Sequence, residues 1–159
     1  MSMQLLKERY ASLGFNDVLT YVQSGNVVFS ASGNPASIKE KIQKDIKDTF
    51  GFEVTVFIRT GQDLSELLKN SPFRGKDETK LHVTFLSQKP ASVPMGELES
   101  AKVGAEDFRI SGKEIYLYCP NGYGVTKLSN SFFEKKLKVS ATTRNWRTVN
   151  TLLTMISGK

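Results

Sequence analysis

The sequence contains very few of the residues on which most metal and redox sites depend. Among its 159 residues there is one cysteine, Cys119, and one histidine, His82. A single cysteine excludes an intrachain disulfide and any zinc site built on cysteines, so we expect Cys119 to be a buried thiol. The acidic pairs Asp77-Glu78 and Glu106-Asp107 are predicted to be solvated loop residues rather than metal ligands. We therefore predict neither a metal site nor a bound cofactor.

The sequence also lacks the motifs of nucleophilic catalysis. A histidine-based triad could be built only around His82, and no GxSxG or other nucleophile motif accompanies it. Ser24 has no neighbouring base in the sequence. The glycine-rich segment 121–124, followed by Lys127, lacks the GxxxxGK[ST] spacing of a phosphate-binding loop. The sequence therefore predicts no catalytic residue.

Long hydrophobic runs are absent as well, and none approaches the roughly 18 residues of a membrane span. The N-terminal segment is charged at Lys7, which argues against a signal peptide. Hydrophobic residues make up 39% of the chain, and the mean hydropathy of −0.29 is typical of a folded, water-soluble protein. We predict a cytoplasmic protein without membrane association, large enough for one ordinary domain or two small ones.

Acidic residues are nearly missing from the last quarter of the chain. Residues 1–119 hold 15 basic and 15 acidic side chains, whereas residues 120–159 hold seven basic side chains and one acidic side chain, Glu134. The whole net charge of +6 therefore arises from the C-terminal segment. A concentrated basic region attracts phosphates and acidic partners, although many such runs are simply solvated helix faces.

Hydrophobic spacing in the first half predicts the order helix, strand, strand, helix, strand. The helices are residues 3–13, which end before Gly14, and a longer helix that Asn34 caps and Gly51 ends. The segment Ser24-Gly25-Asn26 predicts a tight hairpin turn, because glycine and asparagine tolerate positive φ. The predicted strands are Asp17–Tyr21, Val27–Ala31 and Glu53–Arg59.

The second half follows a short helix at Asp63–Lys69 and a proline-containing polar connection. We place the boundary there, with an N-terminal domain of residues 1–70 and a C-terminal domain of residues 71–159. The second half is predicted to contain a strand, a helix, a hairpin of two strands, a helix, a short strand and a closing helix. These segments are 80–87, 93–100, 107–111, 114–119, 128–137, 140–144 and 146–156.

The two halves share one element order, except that the first half lacks the opening strand. This order predicts an α+β fold of two tandem ferredoxin-like (βαββαβ) units, the first incomplete, plus a C-terminal helix. The missing strand would be a central one, flanked by Val27–Ala31 and Glu53–Arg59, in a sheet to which the first unit contributes three strands. Because exposed strand edges pair readily, we expect self-association through this open sheet.

Two stretches resemble a known family. TYVQSGNVVF, residues 20–29, and KLSNSFFEKKLKVSATTRNWRTVNTLLTM, residues 127–155, are similar to the bacterial family called domain of unknown function 1697, and the resemblance runs over essentially the whole chain. It implies two ferredoxin-like units in tandem and no established biochemical role. Family members usually begin with a further apolar strand and a glycine-rich loop with an arginine. We therefore expect either a shortened chain or another segment in that position, and no role of that loop carries over.

The predicted binding residues lie in the C-terminal basic segment, and they are Lys127, Lys135, Lys138, Arg144 and Asn145. We expect Thr143 and Asn145 to cap the last helix, with Trp146 in the core. The leading interpretation is a non-catalytic binding protein for an anionic, phosphate-bearing small molecule or a nucleic acid.

Other interpretations remain open. One is an enzyme that acts on a phosphorylated small molecule in a cleft between the units. Another is a protein-interaction module. Tyr116 and Tyr118 share one strand face, as base-stacking aromatics do in RNA-binding modules, but the companion residues His82, Thr84 and Leu86 are not aromatic.

Overall fold

The computed structural model describes residues 2–21 and 25–158, which form a mixed α/β fold with two sheets. The α-helices are α1 (Met3–Ser12), α2 (Pro35–Phe50), α3 (Gly61–Lys69), α4 (Met95–Ser100), α5 (Asn130–Leu137) and α6 (Trp146–Ser157). The strands are β1 (Asn16–Tyr21), β2 (Asn26–Ser30), β3 (Leu81–Leu86), β4 (Asp107–Ser111), β5 (Glu114–Tyr118) and β6 (Ala141–Asn145).

The chain divides into two compact units. Unit 1 comprises Met1–Leu64 with Thr151–Lys159, and unit 2 comprises Ser65–Asn150. The division therefore assigns the last residues of α6 to unit 1, whereas the sequence predicted the whole closing helix in the second domain. The division of the chain into domains of residues 1–70 and 71–159 stays a prediction.

Unit 2 contains a four-stranded sheet with the order β4-β5-β3-β6, in which all neighbours are antiparallel. One face of this sheet packs against α4 and α5. The buried residues of that interface are Leu86, Leu98, Ala101, Phe108, Ile115, Leu117, Cys119, Leu128, Phe133, Leu137 and Ala141. Burial raises the pKa of the Cys119 thiol to about 11. The thiol is therefore protonated at neutral pH, as expected of a buried cysteine.

The start and end of α5 follow from its sequence. The Ser129 hydroxyl accepts a hydrogen bond from the Phe132 N–H at 3.2 Å, which caps the helix. Phe133 and Leu137 are buried four residues apart, so they lie on one side of the helix and hold it against the sheet. Lys138 ends the helix in the left-handed conformation, with φ of 61°.

Unit 1 has its core between a hairpin and two helices. The β1–β2 hairpin is antiparallel. The buried core residues of this unit are Leu6 and Tyr10 of α1, Val18 of β1, Ile42 and Ile46 of α2, and Phe15, which precedes β1. The Asn34 side chain caps α2 by accepting the Ser37 N–H at 3.0 Å, and Gly51 ends it with φ of 80°, as predicted. Arg9 of α1 holds Asp45 of α2 through two hydrogen bonds and thereby lowers the pKa of the carboxyl group.

The predicted strand at Glu53–Arg59 is wrong. Within the described residues, the sheet of unit 1 contains two strands rather than three, and residues 52–60 belong to neither. The predicted alternation is present, because Val54, Val56 and Ile58 pack against the core of unit 1 and are partly buried. However, a strand also needs a hydrogen-bonded neighbour. The Val56 N–H instead donates to the side-chain oxygen of Gln43 at 2.9 Å.

The hairpin turn contains a glycine in the left-handed region, as predicted. Gly25 has φ of 79°, and the Asn26 side chain donates to the Tyr21 carbonyl at 3.2 Å. Gln23 and Ser24 lie outside the described residues, so the predicted absence of a base near Ser24 stays a prediction. A Cβ at position 25 would meet no atom within 4 Å. The cost of a side chain there is therefore conformational rather than steric.

We expect Gly25→Val to lower the free energy of unfolding by about 1–2 kcal/mol, because a β-branched residue strains at positive φ. Gly25→Asn is the matched control and should lower the free energy of unfolding by less, because asparagine adopts this conformation more readily than valine. Urea denaturation of the three proteins measures the difference. Equal stability of the valine and asparagine variants would contradict a left-handed residue at this position.

Candidate functional site

A cluster of polar and aromatic side chains lies at one end of the unit 2 sheet, where β3 begins and β6 ends. His82 of β3 stands across the ladder from Asn145 of β6. The His82 ring stacks on Tyr123, with 5.0 Å between the centroids and 27° between the planes. The Tyr123 hydroxyl accepts the Asn130 N–H at 3.0 Å and lies 3.2 Å from the Asn130 side-chain oxygen. We call His82, Tyr123, Asn130 and Asn145 the His82 cluster.

Two helices begin at the His82 cluster. Asn130 is the first residue of α5. Asn145 precedes α6 and accepts the Thr148 N–H at 2.8 Å, so its predicted role as a cap is confirmed. The predicted cap at Thr143 is wrong, because the Thr143 hydroxyl is 2.7 Å from the Thr84 hydroxyl on the neighbouring strand. Helix N-termini carry partial positive charge, and two of them lie at this end of the sheet.

His82 is half-buried, and its Nδ1 atom is buried without a hydrogen-bond partner within residues 2–21 and 25–158. Burial lowers the pKa of the imidazole below the ordinary value of 6.5, and the backbone of Lys80 only partly opposes this effect. The ring is therefore neutral at pH 7, with the donor and acceptor pair of an uncharged imidazole.

The predicted lysines are exposed, and they lie at opposite ends of α5. Lys127 precedes the helix and is near the His82 cluster in sequence, whereas Lys135 and Lys138 belong to its last turn and C-terminal cap. With a rise of about 1.5 Å per residue, the backbone at Lys138 is about 12 Å along the helix axis from Asn130. The structure therefore separates Lys127 and Asn145 from Lys135 and Lys138.

Arg144 lies on the other face of the sheet. Its guanidinium donates to the Thr142 hydroxyl at 2.8 Å and to the Thr143 carbonyl at 2.9 Å. Thr142 and Arg144 share one face of β6, and Ala141 and Thr143 share the other, on which α5 packs. The prediction that Arg144 joins Lys135 and Lys138 in one patch is therefore wrong. Burial lowers the pKa of the Arg144 guanidinium.

The face that carries Arg144 also carries the two tyrosines. Tyr116 pairs with Val83 and Tyr118 with Leu81, so the predicted companions His82, Thr84 and Leu86 lie on the opposite face. Tyr116 is 4% exposed, and its hydroxyl donates to the Leu67 carbonyl at 2.7 Å. The Tyr118 ring packs beside Phe73, at 6.1 Å between the centroids. A base cannot stack on the buried Tyr116.

The described part of the chain contains neither a cluster of metal-binding side chains nor a membrane-spanning helix. No group of three or more His, Cys, Asp or Glu side chains there is arranged to hold a metal ion. No helix of residues 2–21 and 25–158 has the length and apolar character to cross a membrane.

Sequence reasoning missed the partners of His82. Tyr123 is part of the NGYG segment, whose glycines resemble only a phosphate-binding loop, and Asn130 lies within a predicted helix. No local pattern relates His82 to Tyr123, because they are distant in sequence and meet through the β3–β5 pairing. The glycine-rich loop was the one available signal.

Comparison with known proteins gives a family and a fold. The family model described as "Protein of unknown function (DUF1697)" matches residues 1–116, which include TYVQSGNVVF but not the second resembling stretch at 127–155. A solved structure of a conserved bacterial protein from Streptococcus pneumoniae is similar with a TM-score of 0.75 and 19% identity, over 98% of this chain and 89% of that chain. At this identity the likeness concerns the fold alone. No curated protein matches.

We expect the free energy of unfolding to fall as the pH decreases from 7.5 to 5.5. Since burial lowers the pKa of His82 below 6.5, the unfolded chain binds the proton first and is favoured in acid. His82 is the only histidine, so His82→Gln should remove most of this slope. Urea denaturation at several pH values in this range measures the free energy of unfolding of both proteins. A wild-type stability that stays level or rises towards pH 5.5 would contradict the buried, neutral imidazole.

Proposed function

This chain belongs to the DUF1697 family of proteins of unknown function, and from that premise we propose that it is a non-catalytic binding protein for a phosphate-bearing polyanion. The proposal rests on one observation, the uncompensated positive charge of residues 120–159. Nucleic acids and other polyphosphates attract such a surface through their backbone charge.

Four exposed cations of this segment form no ion pair within the described residues. Lys135, Lys138 and Lys127 are exposed and form no salt bridge within residues 2–21 and 25–158, and the same holds for Arg147. By contrast, Lys44, Lys47 and Lys102 elsewhere in the chain each contact a carboxylate. The charge on and beside α5 is therefore available to a ligand.

The acidic groups near α5 are already engaged. Lys136 is the residue of this helix that forms a salt bridge, to Glu97 of α4 at 3.0 Å. The Glu134 carboxylate accepts the Ala141 N–H at 3.0 Å, which fixes the connection into β6. Neither carboxylate forms a salt bridge with Lys135 or Lys138 among the described residues.

The arrangement of the lysines supports an extended ligand rather than a small one. Lys135 and Lys138 are three residues apart and lie on neighbouring positions of the helix surface, away from the buried Phe133 and Leu137. Lys127 lies beyond the other end of the helix. A row of separated cations suits a chain of phosphates, whereas a small molecule needs converging groups. Asn145 would contact the ligand near the α6 N-terminus.

We further propose that the chain consists of two tandem ferredoxin-like units and acts in the cytoplasm. The order β3-α4-β4-β5-α5-β6 and the antiparallel sheet order β4-β5-β3-β6 in unit 2 support the ferredoxin-like plan. In unit 1, α1, β1, β2 and α2 follow in the corresponding order. A lone, buried cysteine suits a reducing compartment.

Binding of a labelled single-stranded 20-mer should weaken steeply with salt, as measured by fluorescence anisotropy between 50 and 200 mM KCl. Lys135→Gln with Lys138→Asn should reduce the slope of log K against log salt by about 1.4, since each lost contact to a single strand removes about 0.7. Asparagine is chosen at 138 because it tolerates the left-handed conformation.

The matched control is Lys7→Gln with Lys89→Gln, which removes the same charge from exposed lysines elsewhere. The control should bind like the wild type. An equal loss of affinity in both double variants would mean that net charge alone drives binding. The absence of binding by the wild type at 50 mM KCl would refute the proposal. Inorganic polyphosphate as competitor distinguishes recognition of phosphate from recognition of bases.

A further inference from the structure

The basic segment of residues 120–159 also contains aromatic side chains, and they differ in what their rings contact. They are Tyr123, Phe132, Phe133 and Trp146. Phe133 and Trp146 are buried, and the Tyr123 ring already stacks on His82. Phe132 is only partly buried, at the edge of the unit 2 core. Among the described residues of this segment, it is therefore the aromatic ring best placed to meet a ligand.

Phe132 stands beside an exposed cation on α5. It lies in the first turn of the helix and three residues before Lys135, so the two side chains are neighbours on the helix surface. Lys138, at the C-terminal cap, follows after three more residues. We call these three residues, which follow one i+3 row of the helix, the Phe132 ridge. An aromatic ring begins this ridge, and two cations without a salt bridge among the described residues continue it.

The core holds the Phe132 ring from one side. The ring centroid lies 5.5 Å from that of Phe133, with 69° between the planes, in an edge-to-face contact. Phe133 is fully buried, so it anchors the Phe132 ring against unit 2. A ring that is already held in place loses little conformational freedom when a planar ligand stacks on its exposed part.

An aromatic ring beside a row of cations matches the chemistry of a nucleotide in an unpaired strand. Bases of any sequence stack on aromatic side chains through their π-faces, while the phosphates of the same strand contact lysines and arginines. A base inside a duplex is already stacked on its neighbours and must be unstacked first. Inorganic polyphosphate offers no planar group. The Phe132 ridge therefore favours a single-stranded nucleic acid over other polyanions.

We propose that the polyanion is a single-stranded nucleic acid, one base of which stacks on Phe132 while the adjoining phosphates contact Lys135 and Lys138. This assignment rests on the proposed function and names the ligand of the same surface. Stacking uses the ring and not a charge, so it adds affinity without changing the dependence of binding on salt. Phe132 then accounts for the difference in affinity between a strand with bases and a strand without them.

Fluorescence anisotropy at 50 mM KCl compares a labelled oligothymidylate 20-mer with an abasic strand of the same length, which keeps the phosphates and lacks the bases. The wild type should bind the oligothymidylate about tenfold more tightly, which is the order of the contribution of one stacked base. Phe132→Leu keeps an apolar side chain against the core and should bind both strands equally, with the salt slope of the wild type. The matched control is Phe52→Leu, which removes a phenylalanine that is 43% exposed in unit 1 and should keep the preference.

Equal binding of both strands by the wild type would overturn the stacking contact and leave the proposed polyanion binding in place. The absence of binding to either strand would refute the proposed function and this assignment with it. A preference for the oligothymidylate that persists in Phe132→Leu would overturn the role of Phe132. If circular dichroism shows that this variant is unfolded, Phe132→Tyr replaces it. That variant should keep the preference, because tyrosine also stacks on bases, and its loss in a folded Phe132→Tyr protein would contradict the proposal.

Discussion

The pairing of β3 on both of its edges is the constraint on which unit 2 depends. Every buried backbone N–H and carbonyl needs a hydrogen-bond partner, and β3 finds its partners in β5 on one side and β6 on the other. This pairing sets which side chains share a face. It brings Thr84 against Thr143, places Leu86 and Ala141 under α5, and leaves Val83 and Arg144 on the opposite side. The positions of α5 and of the His82 cluster follow from it.

The same constraint explains which elements the sequence predicts well. The helix α2 is specified by nearby residues, because Asn34, the apolar stripe with Ile42 and Ile46, and Gly51 act within a few turns. The segment Glu53–Arg59 has an equally clear pattern, but strand formation requires a second segment that its own residues cannot provide. A two-residue period therefore predicts a side-chain arrangement and not the hydrogen bonds that complete a strand.

The candidate site is predictable in its charge but not in its geometry. Composition alone places the excess of lysine and arginine in the last 40 residues, and the structure leaves Lys127, Lys135 and Lys138 exposed. The face on which Arg144 lies depends on the register between β6 and β3. This register pairs residues that are about 60 positions apart in the sequence. Likewise, the stacking of His82 on Tyr123 arises only once the strands are paired. Long-range register therefore decides which polar side chains meet.

Cys119 makes the opening of unit 2 measurable without any change to the chain. The thiol is fully buried in the core between the sheet and the helices α4 and α5, and burial raises its pKa to about 11. Alkylating reagents attack the thiolate, so the closed form is protected both by exclusion and by protonation. As the only cysteine in the sequence, it reports on one unit alone. Its rate of alkylation therefore measures how often the sheet around β3 unfolds locally in the native protein.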